Sequence, residues 1–255
     1  MTLRHAAALA CNAVGNHRAL LLGILIFTAS CSVSCATLNG GTARTPAILV
    51  NNFGRSMSGY ALDPSGRITS TGTLSYSMAE VDEATDAKVD STGNIYVSNS
   101  SILNEHDKNS ILIFPAGSTG KATPIATIAG NATRLSGVIN AIAVDAGGNI
   151  FAGNVAQGSA PPSTLCVPSQ NAEANDASVT AYPSGSSGDV KPIAVISGPC
   201  TGIRALLSLA VDSKGNLYVA NGNSIVFFPP HSSGNVKPNA VIAGPSTGLT
   251  GVVMR

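Results

Sequence analysis

Residues 211–221 read Val-Asp-Ser-Lys-Gly-Asn-Leu-Tyr-Val-Ala-Asn, and the same frame occurs at residues 89–99 and 144–154. In every copy the Gly lies three residues after the Asp, and the last Asn lies nine residues after it. The Asp-x-x-Gly-Asn stretch predicts a tight hairpin turn, because Gly adopts a positive φ and Asp accepts backbone hydrogen bonds. The alternating apolar residues on either side predict two antiparallel strands.

Each copy is followed by a second half that keeps the same register. An apolar run comes first, and a Gly, a Pro and an Ile then follow at intervals of four residues. The apolar runs are residues 111–114, 179–182 and 225–228, and the spaced residues are Gly120, Pro124 and Ile128, Gly188, Pro192 and Ile196, and Gly234, Pro238 and Ile242. Each unit therefore holds four short strands, which is the content of one propeller blade. The predicted fold is all-β and propeller-like, with about four blade-like units of four-stranded antiparallel sheets in an incomplete or open arrangement.

The Val-Asp-x-x-Gly-Asn-Ile-Tyr-Val-x-Asn frame resembles the NHL repeat and its relatives among bacterial exported proteins, and the resemblance covers residues 85–250. The earlier stretch at residues 48–68 is similar to a half-repeat of lactonase-type propellers. This first unit is expected to lack a leading strand of its own.

The repeat divides the chain into units. We expect blade-like units at residues 47–84, 85–136, 137–203 and 204–250, within a repeat domain of residues 47–255 that ends in a stub at residues 251–255. The step from Asp90 to Asp145 is 55 residues and the step from Asp145 to Asp212 is 67, so an insertion is expected at residues 156–177.

Three arrangements are open: the N-terminal strands pair with the stub and close a four-bladed ring, the chain is truncated and leaves an open edge, or two chains combine into one ring. We favour four units in an open or barely closed arc.

The N-terminus reads as a targeting segment. The apolar run at residues 19–29 follows Arg18 and is shorter than the roughly 20 residues that a membrane-spanning helix needs. Residues 1–30 are therefore predicted to be a signal peptide and residues 31–46 a flexible tether. The small residues before Cys31 resemble the lipobox of bacterial lipoproteins, in which the Cys carries the lipid. Cys35 is the alternative lipidation site, and ordinary cleavage after Ala36 is the competing interpretation.

Composition narrows the range of partners. Only 11% of the 255 residues are charged, and the net charge is +1. No basic stripe occurs in the sequence, so nucleic acid is not an expected partner. Membrane contact is expected only through the N-terminal lipid anchor, which gives a cell-envelope location or, without lipidation, a secreted or periplasmic one.

The repeated Asn99, Asn154 and Asn221 are weak candidates for metal ligands. In the gluconolactonase-type propellers that the repeat resembles, Asn, Asp and Glu side chains at one mouth bind a divalent cation, which here implies Ca²⁺ or Mg²⁺. A residue that recurs in every unit is more often structural, so we expect each Asn to cap its own turn and no cofactor to be bound. The same reasoning assigns Asp90, Asp145 and Asp212 to the closing of their hairpins.

The non-repeated polar residues carry weaker signals. The cluster at residues 104–108 (Asn-Glu-His-Asp-Lys) and the acidic run at residues 80–86 are expected to be solvated, and His231 is expected to be exposed in a turn. Cys166 and Cys200 are the only cysteines of the repeat region, and we expect them to form a disulfide in an oxidising compartment. The sequence indicates no Ser-His-Asp or Cys-His arrangement.

These patterns favour a non-enzymatic, exported or surface-tethered propeller protein that binds a protein, small molecule or glycan through its rim loops. The alternative is a lactonase-like hydrolase that uses a divalent cation, and a second alternative is a degenerate repeat protein without a ligand. An open blade edge would also permit self-association.

Overall fold

The computed structural model describes residues 33–35, 48–51, 56–62, 67–75, 83–100, 109–155, 166 and 177–249. These residues form four antiparallel sheets of four strands each, and the strands of every sheet are joined in chain order. This arrangement confirms the predicted propeller-like fold of four blade-like units. The described residues contain no helix that is both long and apolar enough to cross a membrane.

The four sheets are called blades one to four, in chain order. Blade one contains β1 (Val33–Cys35), β2 (Ile48–Asn51), β3 (Ser56–Leu62) and β4 (Ile68–Ser75). Blade two contains β5 (Glu83–Val89), β6 (Ile95–Ser100), β7 (Ser110–Phe114) and β8 (Ala126–Ala129). Blade three contains β9 (Val138–Val144), β10 (Ile150–Val155), β11 (Ser178–Tyr182) and β12 (Ala194–Ser197). Blade four contains β13 (Leu206–Val211), β14 (Leu217–Asn221), β15 (Ser224–Phe228) and β16 (Ala240–Ala243). Short 3₁₀ turns follow the last strand of blades two, three and four, at Asn131–Thr133, Pro199–Thr201 and Pro245–Thr247.

Blade one differs from its expected form. The sequence assigned residues 31–46 to a tether and gave this unit no leading strand, whereas β1 pairs antiparallel with β2 and supplies that strand. The pairing uses backbone groups, so it leaves no Asp-x-x-Gly-Asn signature that a sequence could show. The predicted signal peptide and the stub at residues 251–255 lie outside the described residues, as does the insertion at residues 156–177 apart from Cys166 and Ala177.

The recurring Asp closes the hairpin between the first two strands of blades two, three and four. In blade two, Asp90 Oδ1 accepts hydrogen bonds from the backbone N–H groups of Thr92 (2.8 Å) and Asn94 (2.9 Å). Asp90 Oδ2 accepts from Asn94 Nδ2 (3.0 Å) and Tyr96 Oη (3.1 Å). Asp145 and Asp212 make the same Oδ1 and Oδ2 bonds with the Asn four residues later. The structure therefore confirms that these carboxylates close their hairpins.

The apolar cores lie between successive blades. One cluster joins Met57 and Leu74 of blade one to the strands of blade two. A second joins blades two and three, and a third joins blades three and four. Because burial of apolar surface drives folding, most of the stabilising free energy is expected in these blade–blade contacts.

Backbone hydrogen bonds join the outer strands of blades one, two and three to the next blade. Gly120 of blade two donates its N–H to Thr73 O (2.7 Å) and accepts from Ser75 N (2.7 Å). Gly188 and Gly234 make the same pair of bonds with β8 and β12. Each Gly has a positive φ, of 65°, 75° and 80° in turn, which a residue with a Cβ rarely adopts. The recurring Gly therefore fixes the register between one blade and the next.

We expect the Asp90→Asn variant to be less stable at pH 7 by about 1 kcal/mol, because an amide cannot accept all the hydrogen bonds that this carboxylate accepts. Partial burial acts to raise the pKa of Asp90, but the hydrogen bonds from Thr92 and Asn94 outweigh it and hold the pKa below its ordinary value. The carboxylate's contribution is thus present above the unfolded pKa of about 4 and is lost as the pH falls through the folded pKa. Urea denaturation should show the two proteins converging in acid. Ser91→Ala, in the same turn, is the control, and a gap that stays constant with pH would contradict this account.

Candidate functional site

A cleft of about 370 Å³ lies between blades three and four. On one side it is lined by the face of β10, β11 and β12, and on the other by the turns of blade four that join β13 to β14 and β15 to β16. Ligand pockets of proteins commonly occupy about 300–1,000 Å³ and combine apolar walls with a few polar groups. This interblade cleft has both properties and is the candidate functional site.

The cleft exists because blade three carries small side chains where blade two carries large ones. Val179 and Ala181 of β11 occupy the register positions of Ile111 and Ile113 in β7. The two isoleucines are buried between blades two and three. An Ala in place of Ile removes three carbon atoms from the interface, and well-packed interiors do not close over such a loss completely. The local departure from the repeat thus creates the space.

Polar groups from both blades surround this space. Asp145 and Asn149 come from the first hairpin of blade three, and Lys214 comes from the equivalent hairpin of blade four. Asp145 Oδ1 accepts from the N–H groups of Gly147 and Asn149, both at 2.8 Å. Asp145 Oδ2 also accepts from Asn149 Nδ2 at 2.8 Å, so the carboxylate, which can accept about four hydrogen bonds, keeps room for one more. The site can therefore offer acceptors on one side and a cation on the other.

His231 is the residue of the cleft that breaks the repeat. It lies in the turn between β15 and β16 at φ 63°, where the equivalent turns of blades two and three carry Gly117 (φ 76°) and Gly185 (φ 77°). A non-glycine residue in this left-handed region costs on the order of 1 kcal/mol or more. Ser232 helps to hold the turn, since its Oγ donates to Pro229 O at 2.7 Å. The sequence correctly predicted an exposed His231 in a turn, but it did not reveal the cleft beside it.

The three repeated asparagines lie in separate blades, and their amide groups are engaged within their own units. Each Asn ends or nearly ends the second strand, and its amide oxygen accepts from the segment that begins the first strand of the same blade. Asn99 Oδ1 accepts from Glu83 N (3.2 Å), Asn154 Oδ1 from Ser136 N (3.4 Å), and Asn221 Oδ1 from Arg204 N and Ala205 N (both 2.8 Å). Their Nδ2 groups reach the third strand in turn, at Ser110, Thr180 and Ser224. These asparagines therefore act as clamps within a blade, a longer reach than the capping of one turn that the sequence suggested.

This bonding does not suit the divalent cation that gluconolactonase-type propellers imply. Ca²⁺ and Mg²⁺ need several oxygen ligands that converge on one point, whereas these amide oxygens already accept backbone N–H groups in three different blades. In the part of the chain that the structure describes, no group of three or more His, Cys, Asp or Glu side chains is arranged to hold a metal ion.

Asp86, within the acidic run, is buried, and the expectation of a solvated face is wrong for this residue. Its Oδ2 accepts from Ile142 N of blade three at 3.0 Å and lies 3.3 Å from Lys88 Nζ. The carboxylate therefore joins two blades and is neutralised by a lysine of its own strand. Burying it without these partners would be strongly unfavourable. The polar cluster at residues 104–108 lies outside the described residues.

Cys166 and Cys200 are joined by a disulfide in the structure. Cys200 lies in the 3₁₀ turn after β12 and is buried, whereas Cys166 is exposed. The bond ties one point of the long segment between β10 and β11 to the outer end of blade three. Cys31 lies outside the described residues, and Cys35, the alternative lipidation site, is the last residue of β1.

No protein-family model matches this chain, and no curated protein is significantly similar to it. Solved structures that resemble it include Sqt1 from Chaetomium thermophilum (13% identity, TM-score 0.45, 80% of this chain and 44% of that one). They also include the gluconolactonase XC5397 from Xanthomonas campestris (11%, 0.39, 77% and 73%) and the PQQ-bound aldose sugar dehydrogenase from Streptomyces coelicolor (13%, 0.32, 75% and 77%). This chain spans less than half the length of the Sqt1 chain. The propeller-like fold rests on the four sheets themselves, and the resemblances extend to no activity.

We expect His231→Gly to stabilise the protein by about 0.5–1 kcal/mol, because Gly adopts the left-handed conformation without strain. The matched control is Gly117→His in the equivalent turn of blade two, where a Cβ would meet no atom within 4 Å. That variant should lose a similar free energy of unfolding through backbone strain alone. Both values come from chemical denaturation. If the two substitutions shift stability in the same direction, strain at residue 231 is not the cause.

Proposed function

We propose that this protein is a non-enzymatic, exported propeller protein that binds a small ligand in the interblade cleft. The observation that carries the proposal is His231, which occupies a strained left-handed position beside the cleft where blades two and three have Gly. Strained residues cluster at functional sites, because the surrounding structure must hold them at a cost in stability. The small residues of β11 support the same conclusion, since they open space that blade two fills.

The lining favours a ligand with an apolar face and several hydrogen-bonding groups, and a mono- or disaccharide has this chemistry. Phe151, Ile193 and Pro230 form apolar wall, on which one face of a sugar ring can pack. Lys214 and His231 stand at the rim and can reach hydroxyl oxygens. A cleft that opens at the rim also admits a ligand without rearrangement of the blades.

Binding is better supported than hydrolysis. The recurring aspartates close hairpins and the recurring asparagines clamp blades, so their polar atoms have structural roles in blades two, three and four. A lactonase-like reaction through a divalent cation would need oxygen ligands that these residues do not bring together. The alternative of a degenerate repeat without a ligand does not explain why a strained His lies beside the cleft, where blades two and three have Gly.

Export and surface tethering belong to the same proposal. The apolar run at residues 19–29 and the small residues before Cys31 support cleavage and lipidation. The disulfide between Cys166 and Cys200 supports an oxidising compartment, because such bonds are rare where thiols are kept reduced. A lipid on Cys31 would hold the blades close to a membrane surface.

The Ala181→Ile variant tests the cleft. It restores the side chain that blade two has at this position, so it should fill the space, keep or raise stability, and weaken sugar binding at least tenfold. Ligand-observed NMR with a panel of mono- and disaccharides measures binding. The control is Ala116→Ile, which adds the same side chain in an exposed turn of blade two. Equal binding by Ala181→Ile and the unchanged protein would show that the ligand does not use this cleft.

Mass spectrometry of the mature protein tests the tether. We expect an N-terminal diacylglyceryl cysteine at position 31, and we expect Cys31→Ser to abolish the lipid and release the protein from the membrane fraction. Cys35→Ser is the matched control and should leave the anchor in place. A mature chain that begins at an unmodified Thr37 would instead indicate ordinary cleavage and a secreted or periplasmic protein.

A further inference from the structure

The outer face of blade four, which we call the open face, carries the residues that form blade–blade contacts elsewhere in this molecule. It is made of Tyr218 in β14, Ile225 and Phe227 in β15, and Ile242 in β16. Strand register places these residues where blade two has Tyr96, Ile111, Ile113 and Ile128. All four residues of blade two are buried against blade three.

The same positions are uncovered in blade four. Ile242 is 53% exposed, whereas Ile128 is 0% exposed and the equivalent Leu74 and Ile196 are 3% and 5% exposed. Tyr218 and Phe227 pack on one another with ring centroids 5.3 Å apart, but both are only partly buried. Monomeric proteins rarely leave a contiguous apolar surface of this kind uncovered.

Hydrogen bonds that join one blade to the next elsewhere are absent at this edge among the described residues. In blades one to three, the outer strand forms a parallel bridge with a turn Gly of the next blade, and β16 forms no such bridge among the described residues. The 3₁₀ turns after β8 and β12 each donate an N–H to a side chain of the next blade, from Ala132 to Asp189 and from Cys200 to Asn235, both at 2.7 Å. The third 3₁₀ turn follows Gly244, and no described atom lies within 4 Å of the Cβ position of this Gly.

The bulk of the side chains shows which kind of contact the open face would make. Blade three presents Val179 and Ala181 and leaves a cleft, whereas the open face presents Ile225 and Phe227, which resemble the isoleucines of blade two. The open face is therefore suited to close packing. One position departs from the pattern, because Leu207 of blade four stands where blades two and three have Thr85 and Asn140. The side chains of Thr85 and Asn140 donate hydrogen bonds to backbone carbonyl groups of the next blade, at Ile139 and Leu206. At this point the contact would be apolar, and Leu207 is exposed.

We propose that the open face binds blade one of a second copy of this chain. Blade one is the blade that no preceding blade covers in the described structure. Register places Ile48 and Tyr60 where blade three has Ile150 and Tyr182, two residues that blade two buries. Tyr182 is 0% exposed, whereas Tyr60 is only half-buried, which is consistent with an uncovered face.

The proposed contact is continuous with three contacts already present in the chain, because it repeats the packing of one blade on the next. Two such contacts related by a twofold axis would join two chains of four blades into a ring of eight, which lies within the range that propellers form.

Ile242→Lys tests the open face on the full chain. Because Ile242 is exposed in one copy, the substitution should leave the fold and its stability unchanged, while burial of the charge should raise the dimer dissociation constant at least tenfold. Light scattering over a concentration series and analytical ultracentrifugation measure the dimer. Ile125→Lys is the matched control, since Ile125 is 62% exposed and lies outside the open face. We expect this control to dimerise as the unchanged protein does.

A mixing experiment tests the head-to-tail arrangement. Tyr60→Lys should weaken the dimer from the opposite side, and a mixture of Ile242→Lys with Tyr60→Lys should recover a dimer through the one intact contact. Unchanged dimerisation of Tyr60→Lys by itself would show that the open face pairs with itself and would overturn the proposal, and so would failure of the mixture to associate. A chain that stays monomeric at high micromolar concentration would overturn it as well. Slow amide exchange of β16 in such a monomer would point to coverage of the face within one chain.

Discussion

The contact between the outer strand of blades one, two and three and the turn glycine of the next blade is the constraint on which this structure depends. Gly120, Gly188 and Gly234 each exchange two backbone hydrogen bonds with the preceding blade and hold a positive φ. Because these bonds fix the register between sheets, they decide which side chains meet in the cores between blades. A single four-stranded sheet buries little apolar surface by itself, so the blades stabilise one another as neighbours in a repeat array.

This backbone contact between blades also explains which residues must recur and which residues can vary. Each repeated Asp accepts the hydrogen bonds of its own hairpin, and each repeated Asn clamps three segments of its blade, so their replacement would disturb one unit locally. The side chains between blades need only to fill space. Ala181 and His231 depart from the repeat without breaking the backbone bonds, and they do so on the two sides of one cleft. In a repeat protein, a residue that departs from the repeat is thus better evidence of function than a polar residue that recurs from blade to blade.

Sequence reasoning succeeded where local chemistry determines the structure. The Asp-x-x-Gly-Asn frame predicted the hairpins and the four strands of each unit, because turns and alternating strands depend on residues close in the chain. It missed β1, which is defined by backbone pairing, and it misjudged Asp86, whose partner Ile142 lies 56 residues away. The cleft was missed for a related reason. Its size depends on Ala181 against the turn at His231 in another blade, and only the packed structure shows that these residues meet.

The cleft and the open face both lie at the same two positions of the repeat, in the third strand of a blade. In blade two these positions carry isoleucines that the next blade buries, in blade three they carry smaller residues that leave a cleft, and in blade four they carry Ile225 and Phe227 with no blade upon them. Side-chain volume at two sites of β7 and β11 therefore distinguishes the closely packed contact of blade two from the cleft of blade three. Because the backbone bonds between blades do not involve these side chains, such changes leave the fold intact. A repeat of this kind can acquire a binding site and an association surface by substituting a few apolar residues, with no new loop and no catalytic group.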